Sequence, residues 1–170
     1  ENFELKGYYR EVGKDFHHPQ KNYDVGTQKY GVEAEVKLAE KLGLTGKQSY
    51  IINKINENET VISKVGLPYK TDSFTIEPEY KQTRYFDSLD PAKDKLTRDQ
   101  GINIEAKLSD KFVLTGGYQI EETEFINNPA EPKEKANTTG LGGKYELNEE
   151  TEVFADYSIN NQNGKQTTAT

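Results

Sequence analysis

Residues 101–121 read GINIEAKLSDKFVLTGGYQIE, and they decide the fold. Ile102, Ile104, Ala106 and Leu108 alternate with Asn103, Glu105 and Lys107. After Ser109-Asp110-Lys111, the residues Phe112, Leu114, Gly116, Tyr118 and Ile120 alternate with Val113, Thr115, Gly117, Gln119 and Glu121. A strand turns successive side chains to opposite faces, so strict alternation marks a strand with two unlike faces. A short polar join between two such runs reads as a hairpin.

The same pattern recurs along the chain. Val32, Ala34, Val36 and Leu38 oppose Glu33, Glu35 and Lys37. Leu141, Gly143, Tyr145 and Leu147 oppose Gly142, Lys144 and Glu146, and Val153, Ala155, Tyr157 and Ile159 oppose Phe154, Asp156 and Ser158. Phe74 to Tyr80 follows the rule with Pro78 as a flaw. Proline cannot donate to a ladder, so this strand is expected to be irregular there or near an edge.

The alternation predicts nine strands, roughly 2–10, 28–38, 42–52, 60–67, 72–85, 101–108, 111–121, 138–147 and 151–161. Short joins at 39–41, at Leu67-Pro68-Tyr69, at 109–111 and at 148–150 fall at one end. Longer polar segments at 11–27, 53–59, 86–100 and 122–137 fall at the other. Short turns at one end, long loops at the other and strands of this length describe a transmembrane β-barrel. A closed ladder also satisfies every backbone group in lipid. The expected fold is therefore all-β: an antiparallel up-and-down transmembrane β-barrel, or a fragment of one, with about 8–10 strands in a single domain over 1–170.

Three hairpins share a frame. Gly31, Gly101 and Gly140 each stand seven residues before a leucine (Leu38, Leu108, Leu147), and Glu40, Asp110 or Glu149 follows two positions later. Copies 39 and 70 residues apart make the repeat a hairpin rather than a solenoid coil. The phrases KYGVEAEVKLAEKLGLTG, GINIEAKLSDKFVLTGGY and TTGLGGKYELNEETEVFADYSI, with Gly7-Tyr8-Tyr9 ahead of them, resemble hairpins of Gram-negative outer-membrane β-barrel proteins. They look closest to the C-terminal barrel of large surface proteins that carry Ig-like repeats. The resemblance implies a Gram-negative outer-membrane location and a role as envelope anchor for surface domains. Such barrels usually end in an aromatic residue and have an even strand number. This chain ends Thr167-Thr168-Ala169-Thr170 and shows nine runs, which points to a piece of a larger barrel.

Composition agrees with a barrel and excludes several other classes. The 170 residues carry a net charge of −7 and no cysteine, so there is no disulfide, thiolate metal site or cysteine nucleophile. Hydrophobic residues make up 32%, about 40% with glycine, which is thin for a deep core. A membrane barrel needs no such core. No signal-peptide pattern opens the chain, and the acidic balance argues against nucleic-acid binding. No G-x-S-x-G elbow, P-loop or G-x-G-x-x-G precedes a helix, so the chain is read as non-enzymatic, without cofactor or metal.

Four groups of side chains are candidate sites. His17-His18 reads as a solvated loop. Asp87, Asp90, Asp94 and Asp99 read as a polar loop, because their spacing does not match a calcium loop and lysines intervene. The charged face is the candidate lumen wall: Glu33, Glu35, Lys37, Lys47, Glu77, Glu79, Lys81, Glu105, Lys107, Glu121, Lys144, Glu146, Glu152 and Asp156. Nine acids against five bases give an open lumen a mild cation preference, unless the charges pair across strands and plug it. Tyr30, Tyr50, Tyr118 and Tyr157, placed towards the loop ends of their strands, are the candidate interfacial aromatics.

The expected function is a passive pore or envelope anchor. Its partners would be the lipid bilayer and other parts of the same barrel or envelope proteins, with no nucleic acid. Two alternatives preserve the alternation: a soluble all-β binding protein with an apolar interior, and an edge-paired β assembly.

Overall fold

The computed structural model describes residues 2–15, 24–148, 151–163 and 165–169. The strands are β1 (Phe3–Glu11), β2 (Thr27–Lys37), β3 (Gly43–Asn53), β4 (Asn58–Gly66), β5 (Tyr69–Lys70), β6 (Phe74–Asp87), β7 (Lys95–Ser109), β8 (Phe112–Phe125), β9 (Glu134–Asn148), β10 (Thr151–Gln162) and β11 (Lys165–Ala169). They form one antiparallel sheet in the order β1-β2-β3-β4-β6-β7-β8-β9-β10-β11, with β5 paired to β6 off this path. Each strand neighbours the next in sequence, so the topology is up-and-down. The ladder is open: β1 pairs with β2 and β11 with β10, and neither pairs with the other among the described residues.

Ten strands lie on the path where alternation predicts nine, because 165–169 forms a further strand against Ser158–Gln162. The expected loops also shrink. β7 begins at Lys95, so the loop 86–100 is only 88–94; β8 runs to Phe125 and β9 starts at Glu134, so 122–137 is only 126–133. Charges at Arg98, Glu122, Glu124 and Lys135 hide these extensions, because they interrupt the apolar face. The ladder does not depend on that face. Arg98 sits opposite Glu122, and Glu122 opposite Lys135, so opposite charges support the pairing across strands.

Pro78 sits inside the sheet without breaking it. Its carbonyl accepts from Leu67 N–H at 3.0 Å, so its nitrogen faces the same side. There β4 has already left the ladder at Gly66, opposite Glu79. The missing N–H falls in the gap between β4 and β5, a local edge. The Leu67–Tyr69 join is not a plain bend, since β5 adds to Ile76 and Thr75 and Tyr69 also bridges Leu42.

No hydrophobic side chain is buried among the described residues. The polar or charged residues that are buried are Thr27, Ser49, Asp94, Asp99 and Thr123. This inverts the arrangement of a water-soluble protein.

Candidate functional site

Directly opposed residues in a ladder point to the same side, so the register assigns every strand residue to a face. The opposed sets Lys6-Glu33-Lys47-Lys64-Lys81-Asp99-Glu121 and Thr75-Glu105-Thr115-Gly142-Asp156 lie on one side. All fourteen charged residues proposed for the lumen wall share it. Thr27, Ser49, Asp99 and Thr123, four of the buried residues, are there too. The charged face is thus the better shielded one, as the concave side of a curved sheet is. Large exposed side chains such as Phe3, Leu5, Val32, Ile104, Ile120, Leu141 and Val153 stand on the other face. A soluble barrel with an apolar interior would show the reverse.

Part of the charged wall is paired. Glu33 meets Lys47, Glu79 meets Lys64 at 2.6 Å, and Glu152 meets Lys144 at 2.7 Å. Asp99, 4% exposed, accepts from Gln119 Nε2 at 2.9 Å and forms a 2.9 Å ion pair with Lys81 through its other oxygen. Of the fourteen, the acids Glu35, Glu77, Glu105, Glu121 and Asp156 and the bases Lys37 and Lys107 have no ion pair among the described residues, so unpaired acids outnumber unpaired bases on this face. Tyr8 Oη and Ser49 Oγ, 2.6 Å apart, meet across Gly31 of the intervening strand. A Cβ at Gly31 would strike the Gln48 carbonyl and the Tyr8 ring.

The outer face is organised by aromatic rows. Tyr9 lies opposite Tyr30, and Tyr30 opposite Tyr50; the last two rings stack with centroids 5.0 Å apart. Followed through the register, Tyr80 stands four residues nearer the turn end, Tyr118 six and Tyr157 eight. Tyr118 and Tyr157 therefore do not sit at the loop ends of their strands, as alternation suggests, but in mid-strand. The row descends eight residues, about 27 Å, while crossing eight strand intervals, about 38 Å. Its slope is about 35° relative to the ladder, close to the roughly 35–45° tilt of strands in closed barrels. With strands tilted by that amount, the tyrosines lie level.

A second row runs parallel to the first. Phe3, Phe74 and Phe112 lie six residues from Tyr9, Tyr80 and Tyr118 on the same strands. Tyr145 joins Phe112, and Tyr69 joins Phe74, at centroid distances of 6.4 and 5.9 Å. Between the two rows no described outward position is charged. Glu11, Glu59, Arg84, Arg98, Glu122, Glu124 and Lys135 face outward only on the loop side of the tyrosines. There Arg98 binds Glu124 at 2.8 Å, and Lys133 binds Glu124 at 2.9 Å and Glu122 at 3.2 Å. Arg98 and Lys133 hold the Glu124 carboxyl down at about 2. Tyr9, Tyr80 and the lower row escaped the reading of the sequence, although the six-residue Phe–Tyr spacing is visible there.

The acidic segment is not a loop cluster. Asp99 belongs to β7 and Asp87 closes β6. Asp94 accepts from Asp87 N–H at 2.8 Å and from Asn127 Nδ2 at 2.8 Å, while Asp87 accepts from Leu89 and Asp90 N–H at 3.0 Å each. These carboxylates latch the 88–94 loop to the 126–133 loop. His17 and His18 lie outside the described residues.

No family model and no curated protein matches the chain. Solved structures do. In-vitro folded OmpT, an outer membrane protein of Vibrio cholerae, superposes with a TM-score of 0.67 at 15% identity, over 95% of this chain and 51% of that one. A loop L8 deletion mutant of OmpT gives 0.67 at 14% identity, over 93% and 57%. OmpT expressed in the outer membrane gives 0.65 at 12% identity, over 95% and 67%. This chain spans about half to two thirds of those proteins, and it has the fold of an outer-membrane β-barrel wall.

Proposed function

We propose that the chain forms wall strands of a β-barrel in a Gram-negative outer membrane, and that its role is passive: a water-filled pore with a mild preference for cations. The observation that carries this reading is the inverted burial, with an uncharged outer band between two aromatic rows and a polar, charged inner wall. In lipid, the edges of β1 and β11 have to be paired, by each other or by strands of another segment or chain. Five unpaired acids, Glu35, Glu77, Glu105, Glu121 and Asp156, against two unpaired bases, Lys37 and Lys107, support a mild cation preference over a plugged lumen. The chain's length relative to the OmpT structures supports a larger barrel around it. An anchor role for surface domains, with envelope proteins as partners, rests on the resemblance of the hairpins to large surface proteins with Ig-like repeats. No catalytic step is assigned.

Reconstitution in lipid vesicles and planar bilayers tests this reading. Insertion should need detergent or lipid, and the bilayers should show steady conductance whose reversal potential in a KCl gradient favours K⁺. Replacing Glu77, Glu105 and Asp156 together by glutamine should move that potential towards zero. Insertion without conductance would leave the anchor role. A folded monomer that stays in solution without detergent would overturn the membrane reading itself.

A further inference from the structure

Among the described residues the outer band has one polar interruption, one outward position on the turn side of Tyr50. Gln48 lies there, opposite Ser63 of β4. Ser63 Oγ donates to Gln48 Oε1 at 2.7 Å, which leaves the Gln48 amide nitrogen without a partner among the described residues. Beside the pair is a recess of about 300 Å³. Ala34 and Gly46, opposite one another, form its floor, and a Cβ at Gly46 would meet nothing within 4 Å. Val32, Val65 and Tyr80 form its walls. An amide donor at the edge of the hydrocarbon is costly unless it is matched, and an open apolar notch forfeits dispersion contacts unless it is filled.

One occupant meets both demands. At the depth of the tyrosine row the bilayer changes from headgroups to acyl chains, so ester carbonyls, which are acceptors without donors, lie within reach of the Gln48 amide one outward position deeper. The apolar floor then continues towards the band centre, along the course of an acyl chain. We propose that this notch binds a single diacyl lipid, with an ester carbonyl on the Gln48 amide and an acyl chain over Ala34 and Gly46. The site rests on the membrane reading above but is tested separately from it.

The test uses the full chain in detergent, with palmitoyl-oleoyl phosphatidylethanolamine added and native mass spectrometry as the readout. The expected result is one retained lipid. Gln48→Leu should lower its occupancy about fivefold, the weight of one ordinary hydrogen bond, and Gly46→Leu should lower it at least as far by filling the notch. Gly116→Leu, at an outward glycine on β8 with only ordinary contact around its Cβ, should leave it unchanged. Circular dichroism reports whether each variant folds; should Gly46→Leu fail, Gly46→Ala replaces it. No retained lipid, equal occupancy in all variants, or a dimer lost in Gly46→Leu instead of a lipid would each overturn the site. A chain that inserts in vesicles yet gives one of these results sinks the lipid site alone, whereas a chain that does not insert sinks the membrane reading.

Discussion

Gly31 shows how closely single positions on the inner wall are specified. The residue stands between Tyr8 and Ser49, whose hydroxyls meet over it. Any Cβ there would push on the Gln48 carbonyl, which is fixed in the ladder, and on the Tyr8 ring. Gly31→Ala should therefore destabilise the folded chain by about 1–3 kcal/mol, the usual range for overpacking. Denaturant midpoints in detergent measure it. Glu124 makes a different point at the same scale. It lies six residues on the loop side of Tyr118, outside the membrane-spanning part of β8, and Arg98 and Lys133 lower its carboxyl from 4.5 to about 2. A carboxyl lowered on folding stabilises the protein above its unfolded value, and this contribution is lost as pH falls through the folded value. The window is thus from about 4.5 down to about 2. Titration of the Glu124 side chain by NMR should give the low midpoint, and Arg98→Gln should raise it; an unchanged midpoint would mean that the pair does not form.

At the scale of elements, the loop-side ends of β6 to β9 and their loops are tied together beyond the tyrosine row. The outward charges of β7 to β9 are paired across strands, and the two loops are latched through Asp94, which is 8% exposed. Asp94→Ala removes the acceptor of the Asp87 amide and leaves the Asn127 side chain only the Pro91 carbonyl, 3.1 Å away, at a cost of about 1 kcal/mol. Hydrogen exchange should quicken at Asp87 and Leu89 and around Ile126, and stay unchanged in the turn 54–57. Exchange spread evenly over all loops would show that the latch is not the controlling contact. These extensions could not be read from alternation, because the ladder continues past the tyrosine row where the outward face turns charged. Pro78 was legible in part: the missing donor required an edge, and only the departure of β4 at Gly66 shows where that edge lies.

For the whole molecule, the sloping tyrosine row is the main geometrical result. Rows of aromatic residues settle at the membrane interface, so a row inclined by about 35° to the ladder requires strands inclined by that angle to the bilayer normal. Polarised infrared spectroscopy on oriented bilayers should give a mean strand tilt of about 35–45°. Upright strands would break the link between the tyrosines and the interface. The same tilt makes six residues between Phe3 and Tyr9, Phe74 and Tyr80, or Phe112 and Tyr118 the strand length separating two interfacial rings.

Much of this was present in the linear order of residues. Period-2 alternation, tight acidic turns and the recurring hairpin frame establish two-faced antiparallel strands, because each is a local property of the backbone. They also put the fourteen charged residues on one face, the face that the register gives them. Alternation is unchanged when a sheet is turned inside out, so it could not say which face is shielded. That came from folding: Thr27, Ser49, Asp99 and Thr123 are buried on the charged side, while Phe3, Ile104 and Val153 are exposed on the other. Register, too, depends on contacts between residues far apart in the chain. It alone aligns Tyr9, Tyr30, Tyr50, Tyr80, Tyr118 and Tyr157 into one inclined row and places Gln48 beside an open glycine.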